Sequence, residues 1–376
     1  INSSTSLPEW VTYIDNTISR YTQYSVNITS SGNVYASGMY GQYRSNIYNS
    51  DGTVFQGYLP LLNDDGVYLV KYDTNGFALW QTYINGVGSQ EVNFGIARKN
   101  SNTYITGVTQ NGSGTTVYDA TLTGNRLPTP SAFSTSDRMF IVNYDANGKS
   151  QWIMSVPNAT PSSIFTDSDG NVLCTFSYTG SPSSRVVQSD GTFFGSSTPS
   201  LGFQDHSVLK FSPDGFGILG IKVTDGSKNY TTVNCVSSSP IDNSILIAGI
   251  LPNGGSGGST FYNYNGGGTM ISSGKTLNPS RAIGSTFCYI AVYNSLGIYQ
   301  WSAYLISQGT GQVIPFSTLF DSNGNVYVSG IVRNNTTSPT IAYNSDDTPF
   351  TGSTISTPYF NGGFLVKYNS TGTCQW

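Results

Sequence analysis

Charge is what this sequence has least of. Of its 376 residues only 10% are Asp, Glu, Lys or Arg, against ~25% in an ordinary globular chain. The 16 Lys and Arg form no run and the net charge is −4. Nucleic-acid binding needs a concentrated basic face, so that class is excluded. No apolar stretch approaches the ~20 residues of a membrane-spanning helix, so no membrane insertion is expected. Catalytic groups are equally scarce. His206 is the only histidine, and Glu9 and Glu91 are the only glutamates. His206 stands before "SVLK" and is expected in an exposed loop or a hydrogen bond rather than as a catalytic base. The four cysteines, Cys174, Cys235, Cys288 and Cys374, lack the paired spacing of a zinc site. Two disulfides and buried free thiols both fit them.

Two stretches approach a ligand motif and stop short. "DSDGN", 167–171, has the start of a calcium loop without its further carboxylates and closing acid, and reads as a structural turn. "GGSGGSTFYNYNGGG", 254–268, lacks the Lys and the strand–helix setting of a phosphate loop, and reads as a flexible loop. No cofactor and no metal are expected. The sequence opens at Ile1 with no signal peptide; removal of one would fit a secreted protein.

Asn, Ser, Thr, Tyr and Gly are abundant, and they recur in order. "KYDTNGFALW", "NYDANGKSQW", "KFSPDGFGIL", "VYNSLGIYQW" and "KYNSTGTCQW" share one form, centred on Gly76, Gly148, Gly215, Gly297 and Gly372. An aromatic residue precedes each glycine by four (Tyr72, Tyr144, Phe211, Tyr293, Tyr368). A large apolar residue follows it by four (Trp80, Trp152, Leu219, Trp301, Trp376). A second phrase, "SSGNVYASG" at 30–38 and "DSNGNVYVSG" at 321–330, joins turn residues to the period-two alternation of a strand.

Each period resolves into four strands. Strand A ("TTVNCVS", "IPFSTLFD") turns tightly into B ("SILIAG", "NVYVSG"). A polar insertion leads to C ("CYIAVYN", "GFLVKYN"), and a tight turn to D, which carries the Trp or Leu. A four-stranded antiparallel unit repeated around a ring is the β-propeller solution to exposed sheet edges. The expected fold is all-β: a single five-bladed β-propeller over 1–376, with blades near 15–86, 87–158, 159–225, 226–307 and 308–376. "PEWVTYI", 8–14, reads as a strand D without a C of its own. It is expected to run antiparallel to 364–369, closing the ring as an N-terminal strand or entering a neighbouring molecule.

"DSNGNVYVSG", "GGFLVKYNSTGTCQW" and "GVYLVKYDTNGFALWQTYING" resemble the SBBP-type β-propeller repeat. That pattern joins a D-x-x-G-N-V-Y-V-T-G hairpin to an F-V-x-K-[YL]-x-x-x-G hairpin. The resemblance covers essentially the whole chain in five copies. It departs most in the third, where Leu219 stands for Trp and Phe176 for the strand-B glycine. The family's name implies seven blades against the five units here. The resemblance implies a propeller fold and no particular activity.

The B–C insertion carries an aromatic residue, then Asn or Asp, then a turn, in each repeat. This makes Tyr48, Asn49, Asp51, Tyr118, Asp119, Tyr262, Asn263, Tyr343 and Asn344 the candidate ligand-binding residues. Aromatic faces stack on sugar C–H surfaces, and amides and carboxylates bond hydroxyls. The structural alternative is an extra hairpin packed over the blade. In an up-and-down meander the insertions are expected on the long-loop face, away from the A–B and C–D turns. Asn111, Asn158, Asn229, Asn335 and Asn369 open glycosylation sequons. The leading expectation is a non-enzymatic structural or adhesive module at an extracellular, virion or cell surface. Its partners would be other protein subunits or surface glycans, with self-assembly through 8–14. The other reading is a lectin with several related sites.

Overall fold

Runs of β-branched and aromatic residues between Asn–Gly and Asp–Gly turns favour antiparallel hairpins, and the computed structural model of the chain is built from them. It describes residues 9–15, 25–40, 46–55, 66–86, 90–110, 115–121, 124–125, 138–178, 186–194, 206–225, 232–251, 259–264, 270–277, 286–309, 311–333, 339–352 and 362–376. Among these residues there is no α-helix, and the strands form five antiparallel sheets. The fold divides into two compact units, Ile1–Thr160 with Val187–Thr192, and Pro161–Val186 with Phe193–Trp376.

Unit 1 contains β1 (Ser25–Ile28), β2 (Val34–Tyr40), β3 (Gly66–Tyr72), β4 (Ala78–Gly86), β5 (Gln90–Lys99), β6 (Asn102–Gln110), β7 (Thr115–Tyr118), β8 (Gly124–Asn125), β9 (Arg138–Tyr144) and β10 (Ser150–Pro157). Its first sheet runs β1-β2-β3-β4-β7-β8, and its second β5-β6-β9-β10. Tyr35, Leu69 and Ile84 of the first sheet meet Ile96, Ile105 and Phe140 of the second in one core.

Unit 2 contains β11 (Ala159–Thr166), β12 (Val172–Tyr178), β13 (Val186–Val187), β14 (Phe193–Phe194), β15 (His206–Phe211), β16 (Gly217–Asp225), β17 (Thr232–Ser238), β18 (Ile245–Leu251), β19 (Ser259–Tyr264), β20 (Met270–Leu277), β21 (Phe287–Tyr293), β22 (Tyr299–Ser307), β23 (Gln312–Phe320), β24 (Val326–Arg333), β25 (Thr340–Tyr343) and β26 (Gly362–Tyr368). Ala159 and Thr160 of β11 and Val187 of β13 belong to unit 1, where Val187 lies beside Ser155. The third sheet runs β11-β12-β15-β16-β19-β20, the fourth β17-β18-β21-β22-β25, and the fifth β23-β24-β26. Val208 and Ile221 of the third sheet pack on Val236 and Tyr289 of the fourth. Leu246, Ile290 and Trp301 of the fourth pack on Val328 and Val366 of the fifth.

The four-strand reading matches the first four repeats strand for strand, while the fifth sheet has three strands and only an isolated Tyr368↔Cys374 bridge in place of its D; the insertions lie elsewhere than expected. Each is a hairpin added to the outer edge of the preceding repeat's strand D. β7 pairs β4 (Ile84↔Val117), β19 pairs β16 (Ile221↔Asn263) and β25 pairs β22 (Leu305↔Ala342). Running antiparallel to D carries the hairpin tip back to the tight C–D turns, not to the long-loop face. Such an added strand covers an edge that would otherwise invite foreign pairing. The glycine-rich stretch 254–268 is corrected for the same reason. Its Ser259–Tyr264 segment is a full partner of β16, not a loop. His206 likewise opens β15, pairing with Ser177 and Val223.

All five repeat glycines have positive φ, between 75° and 83°. At Gly148 space is short as well: a Cβ would lie 2.8 Å from that of Ala120 and 2.9 Å from the Trp80 indole. Gly148→Ala is therefore expected to lose about 2–4 kcal/mol, left-handed strain adding to overpacking. Gly52 shares the conformation at φ 81° but has nothing within 4 Å of a built Cβ. Gly52→Ala should lose only about 1–2 kcal/mol. Urea unfolding of the two variants measures the difference, and equal losses would show that the indole makes no demand.

Of the edge at 364–369 where 8–14 were expected, Lys367 is taken by the chain's own C-terminal residues; residue 8 lies outside the described residues. The position opposite Lys367 is held by Trp376. Its carbonyl accepts from the Lys367 N–H (3.0 Å), and the Gln375 N–H donates to the Lys367 carbonyl (2.8 Å). Residues 9–15 instead join the first insertion, through an Ile14↔Ile47 bridge. All four cysteines are buried thiols. Burial raises the Cys235 pKa to about 12 and that of Cys374 to about 11.

Candidate functional site

The residue types that suggested ligand binding converge at the joints between repeats. An indole comes first. The Trp10, Trp80 and Trp301 N–H groups donate to the carbonyls of Thr74 (2.8 Å), Ala146 (3.1 Å) and Ser370 (2.9 Å) in the next C–D turn. Each ring lies against the turn glycine, Gly76, Gly148 or Gly372, and Leu219 takes the same place against Gly297. Lys71 Nζ adds a second donor to the Ala146 carbonyl (3.1 Å).

The insertion tip completes the joint. Asn49 Oδ1 accepts from the Ala78 N–H (2.9 Å), and Asn344 Oδ1 from the Cys374 N–H (2.7 Å). Asp119 Oδ1 accepts from the Ser150 N–H (2.7 Å) and hydroxyl (2.6 Å). The N–H groups of Ser50, Ala120 and Ser345 donate to the carbonyls of Gly76, Gly148 and Gly372. Asp51 is turned inward on its own loop, accepting from the Thr53 N–H and hydroxyl. These side chains pin the hairpin tip to the start of strand D.

The insertion tyrosines stack on a tyrosine of the preceding strand D. Tyr48 lies on Tyr13 at 4.2 Å between ring centroids, Tyr118 on Tyr83 at 4.1 Å, and Tyr343 on Tyr304 at 4.6 Å. The Thr12 and Thr82 hydroxyls donate to the Tyr48 and Tyr118 carbonyls. Burial, with Tyr118 beside it, raises the Tyr83 pKa to about 12. Tyr83 and Tyr304 were not anticipated, although Trp-x-x-Tyr stands at 10–13, 80–83 and 301–304. Tyr262 lies opposite Lys222, and Asn263 opposite Ile221, in β19. The nine candidates thus fall one group to each joint.

Asn369 lies in a C–D turn, its Oδ1 accepting from the Thr371 N–H and hydroxyl and the Thr373 N–H. Asn158 sits in left-handed conformation between β10 and β11. Asn111, Asn229 and Asn335 lie outside the described residues. Among the described residues no group of three His, Cys, Asp or Glu could hold a metal ion, and no helix is long and apolar enough to cross a membrane.

Carboxylates in the A–B turns are held low. The Asn325 amide, the N–H groups of Asn325 and Asn323 and the Tyr327 hydroxyl bring Asp321 to about 2. Burial alone would raise Asp167, but hydrogen bonds from Lys210 and Asn171 and the Lys210 charge outweigh it, and its pKa is lowered. A carboxyl below its unfolded value of ~3.9 contributes stability that is complete above that pH and lost as pH falls through the folded value. The melting temperature is therefore expected to fall between about pH 4 and pH 2, and Asp321→Asn to flatten part of the fall. A melting temperature constant across that interval would contradict the turn assignment.

No family model matches the sequence, and no curated protein matches it significantly. Among solved structures it is similar to a protein of unknown function from Bacteroides caccae, at 7% identity and a TM-score of 0.30, over 77% of this chain and 90% of that one. It is similar to the rhamnogalacturonan lyase YesW at 9% identity and a TM-score of 0.33, over 96% and 75%. A third, the exotype rhamnogalacturonan lyase YesX, gives 8% and 0.20, over 93% and 73%. Likenesses of this size carry no argument about fold or activity.

Proposed function

We propose that this chain is a non-enzymatic structural module of SBBP-type β-propeller repeats, its five sheets serving as blades. It would act at an extracellular, virion or cell surface, with other protein subunits or glycans as partners. The observation that carries this reading is where the repeated polar and aromatic groups are spent. Indole N–H, Lys71 ammonium, Asn and Asp side-chain oxygens and tyrosine faces all go to tying one repeat to the next. Buried thiols and sparse charge suit a protein that works without a redox partner or a charged ligand.

A glycan array and a polysaccharide-turnover assay on the purified chain test the reading. Neither binding at micromolar concentration nor release of sugar is expected. Micromolar sugar binding lost in Tyr48→Ala and Tyr343→Ala would replace it with the lectin. Measurable turnover would replace it with an enzyme.

A further inference from the structure

The first repeat has a lysine without the carboxylate that its counterparts face. Lys71, Lys210 and Lys367 hold one position of strand C, opposite Tyr35, Leu173 and Tyr327 of strand B. The A–B turns of the same repeats run Thr29–Asn33, Asp167–Asn171 and Asp321–Asn325. Each is closed by the N–H of its first residue donating to the carbonyl of its last. In the third and fifth repeats the Asp uses both oxygens. Oδ1 accepts from the N–H four residues on, at Asn171 (2.8 Å) or Asn325 (2.9 Å). Oδ2 accepts from the same asparagine's Nδ2. It also accepts from Lys210 Nζ (2.8 Å) in the third repeat, and in the fifth from the hydroxyl of Tyr327 (3.3 Å), whose ring carries Lys367.

Thr29 does only the first of these jobs. Its Oγ1 accepts from the Asn33 N–H (2.9 Å), and it has no second oxygen. Asn33 Nδ2, whose counterparts bond Oδ2, turns to the Ser31 hydroxyl (3.3 Å). Positive charge gathers beside this gap. Lys71 Nζ lies 5.5 Å and Arg98 Cζ 3.9 Å from the ring centroid of buried Tyr35. Arg98 donates to the Thr103 hydroxyl and the Asn100 carbonyl. Lys71 forms no ion pair among the described residues. Its ammonium has three N–H groups, of which the uncharged Ala146 carbonyl takes one. The carboxylates of the flanking C–D turns are already committed. Asp73 Oδ1 accepts from the N–H groups of Asn75 and Phe77, and Asp145 Oδ1 from those of Asn147 and Lys149.

We propose that the place of the missing carboxylate oxygen, beside Asn33, Tyr35, Lys71 and Arg98, binds a small inorganic oxyanion of the sulfate or phosphate class. The ion gives Lys71 the counter-charge that Asp167 gives Lys210, through charge-assisted N–H···O bonds. The Arg98 charge adds to the potential that draws it in. Lys71, Arg98 and Asn33 are half-buried, so the ion enters from solvent, whereas the Lys210–Asp167 pair is closed off at 5% and 0% exposure. All four residues belong to unit 1. The ion completes a joint of the scaffold as a structural part, not as a partner of the module. The inference therefore stands apart from the structural-module reading, and sugar binding at Tyr48 or Tyr343 would leave its tests unmoved.

Thermal melting of the full chain in sodium sulfate, against sodium chloride at equal ionic strength, tests the site. Sulfate also stabilises folded proteins by exclusion from their surface, so the quantity read is the difference between wild type and variant. The wild-type melting temperature is expected to rise with the logarithm of sulfate concentration, as a bound ion requires. Lys71→Met should lose that rise and keep only the general one. Thr29→Asp supplies the second oxygen from the turn itself. It should melt higher than wild type in chloride and lose the logarithmic rise in sulfate. Dextran sulfate at the same concentration of sulfate groups should shift the wild type no more than the free ion does. An equal sulfate response in wild type and Lys71→Met would overturn the proposal. So would a Thr29→Asp chain that melts no higher than wild type in chloride, or that keeps the full sulfate response. A larger shift with dextran sulfate, lost in Lys71→Met, would overturn the inorganic ion in favour of a sulfated sugar.

Discussion

Replacing Trp301 by alanine is expected to remove about 3–5 kcal/mol of stability, the range for truncating a buried aromatic. The indole is 9% exposed and packs in the core between the fourth and fifth sheets. It lies on Gly372, within 6.2 Å of the Tyr368 ring, and its N–H reaches the Ser370 carbonyl. Truncation opens a cavity at the joint and leaves Gly372 without the surface its turn is shaped against. Trp376 occupies the same position of the repeat, against its own sheet's Tyr327 at 6.1 Å, but is half exposed. Trp376→Ala should lose no more than about 0.5 kcal/mol in the isolated chain, as exposed substitutions do. Urea unfolding followed by circular dichroism compares the two, and equal losses would show that the next repeat's turn adds nothing to the indole.

Lys210→Met should lose about 3–5 kcal/mol, because it leaves a buried carboxylate without its cation. Lys210 Nζ lies 2.8 Å from Asp167 Oδ2, with side chains 5% and 0% exposed. Asp167 also accepts from Asn171 Nδ2 and from the N–H groups of Asp169 and Asn171, so the variant retains an anion it can no longer neutralise. Two further results identify that cause. Lys210→Met with Asp167→Asn should recover most of the loss. In Lys210→Met alone the deficit should shrink as pH falls, because the unpaired carboxyl, now raised by burial, takes up a proton. A deficit that is the same at pH 7 and pH 4, and that persists in the double variant, would assign it to lost packing of the lysine stem.

Gly76, Gly148, Gly215, Gly297 and Gly372 were legible because a positive φ selects glycine whatever surrounds it, and the strands were legible as short apolar runs between turns. The period-two pattern did not declare the cores, since β3, β18 and β21 are buried on both faces. The insertions were only half legible. Tyr48, Asn49, Asp119 and Asn344 stood out as a repeated set, but a repeated Tyr-Asn pair reads alike for a sugar site and for a hairpin tip. Trp-x-x-Tyr was in plain view, yet its meaning depends on which strand's edge receives the next insertion. Trp10 and Trp376 had identical local sequence claims to the position opposite Lys367, and nothing short of the β26 pairing distinguished them.

By itself the sequence determined the elements whose causes are local: five tight C–D turns, four strands to each of the first four repeats, the all-β class, and carboxylates capping the A–B bends. These depend on φ preference, side-chain alternation and hydrogen bonds spanning two to four residues. Only the tertiary structure decided that each insertion belongs to the sheet before it, that Trp80 and Lys71 share one carbonyl of the following turn, and that Asp167 is paired rather than free. Those outcomes are set by which edges and faces meet across tens of residues. At that distance a strand edge presents the same N–H and C=O groups to every candidate partner, so geometry and packing choose among them.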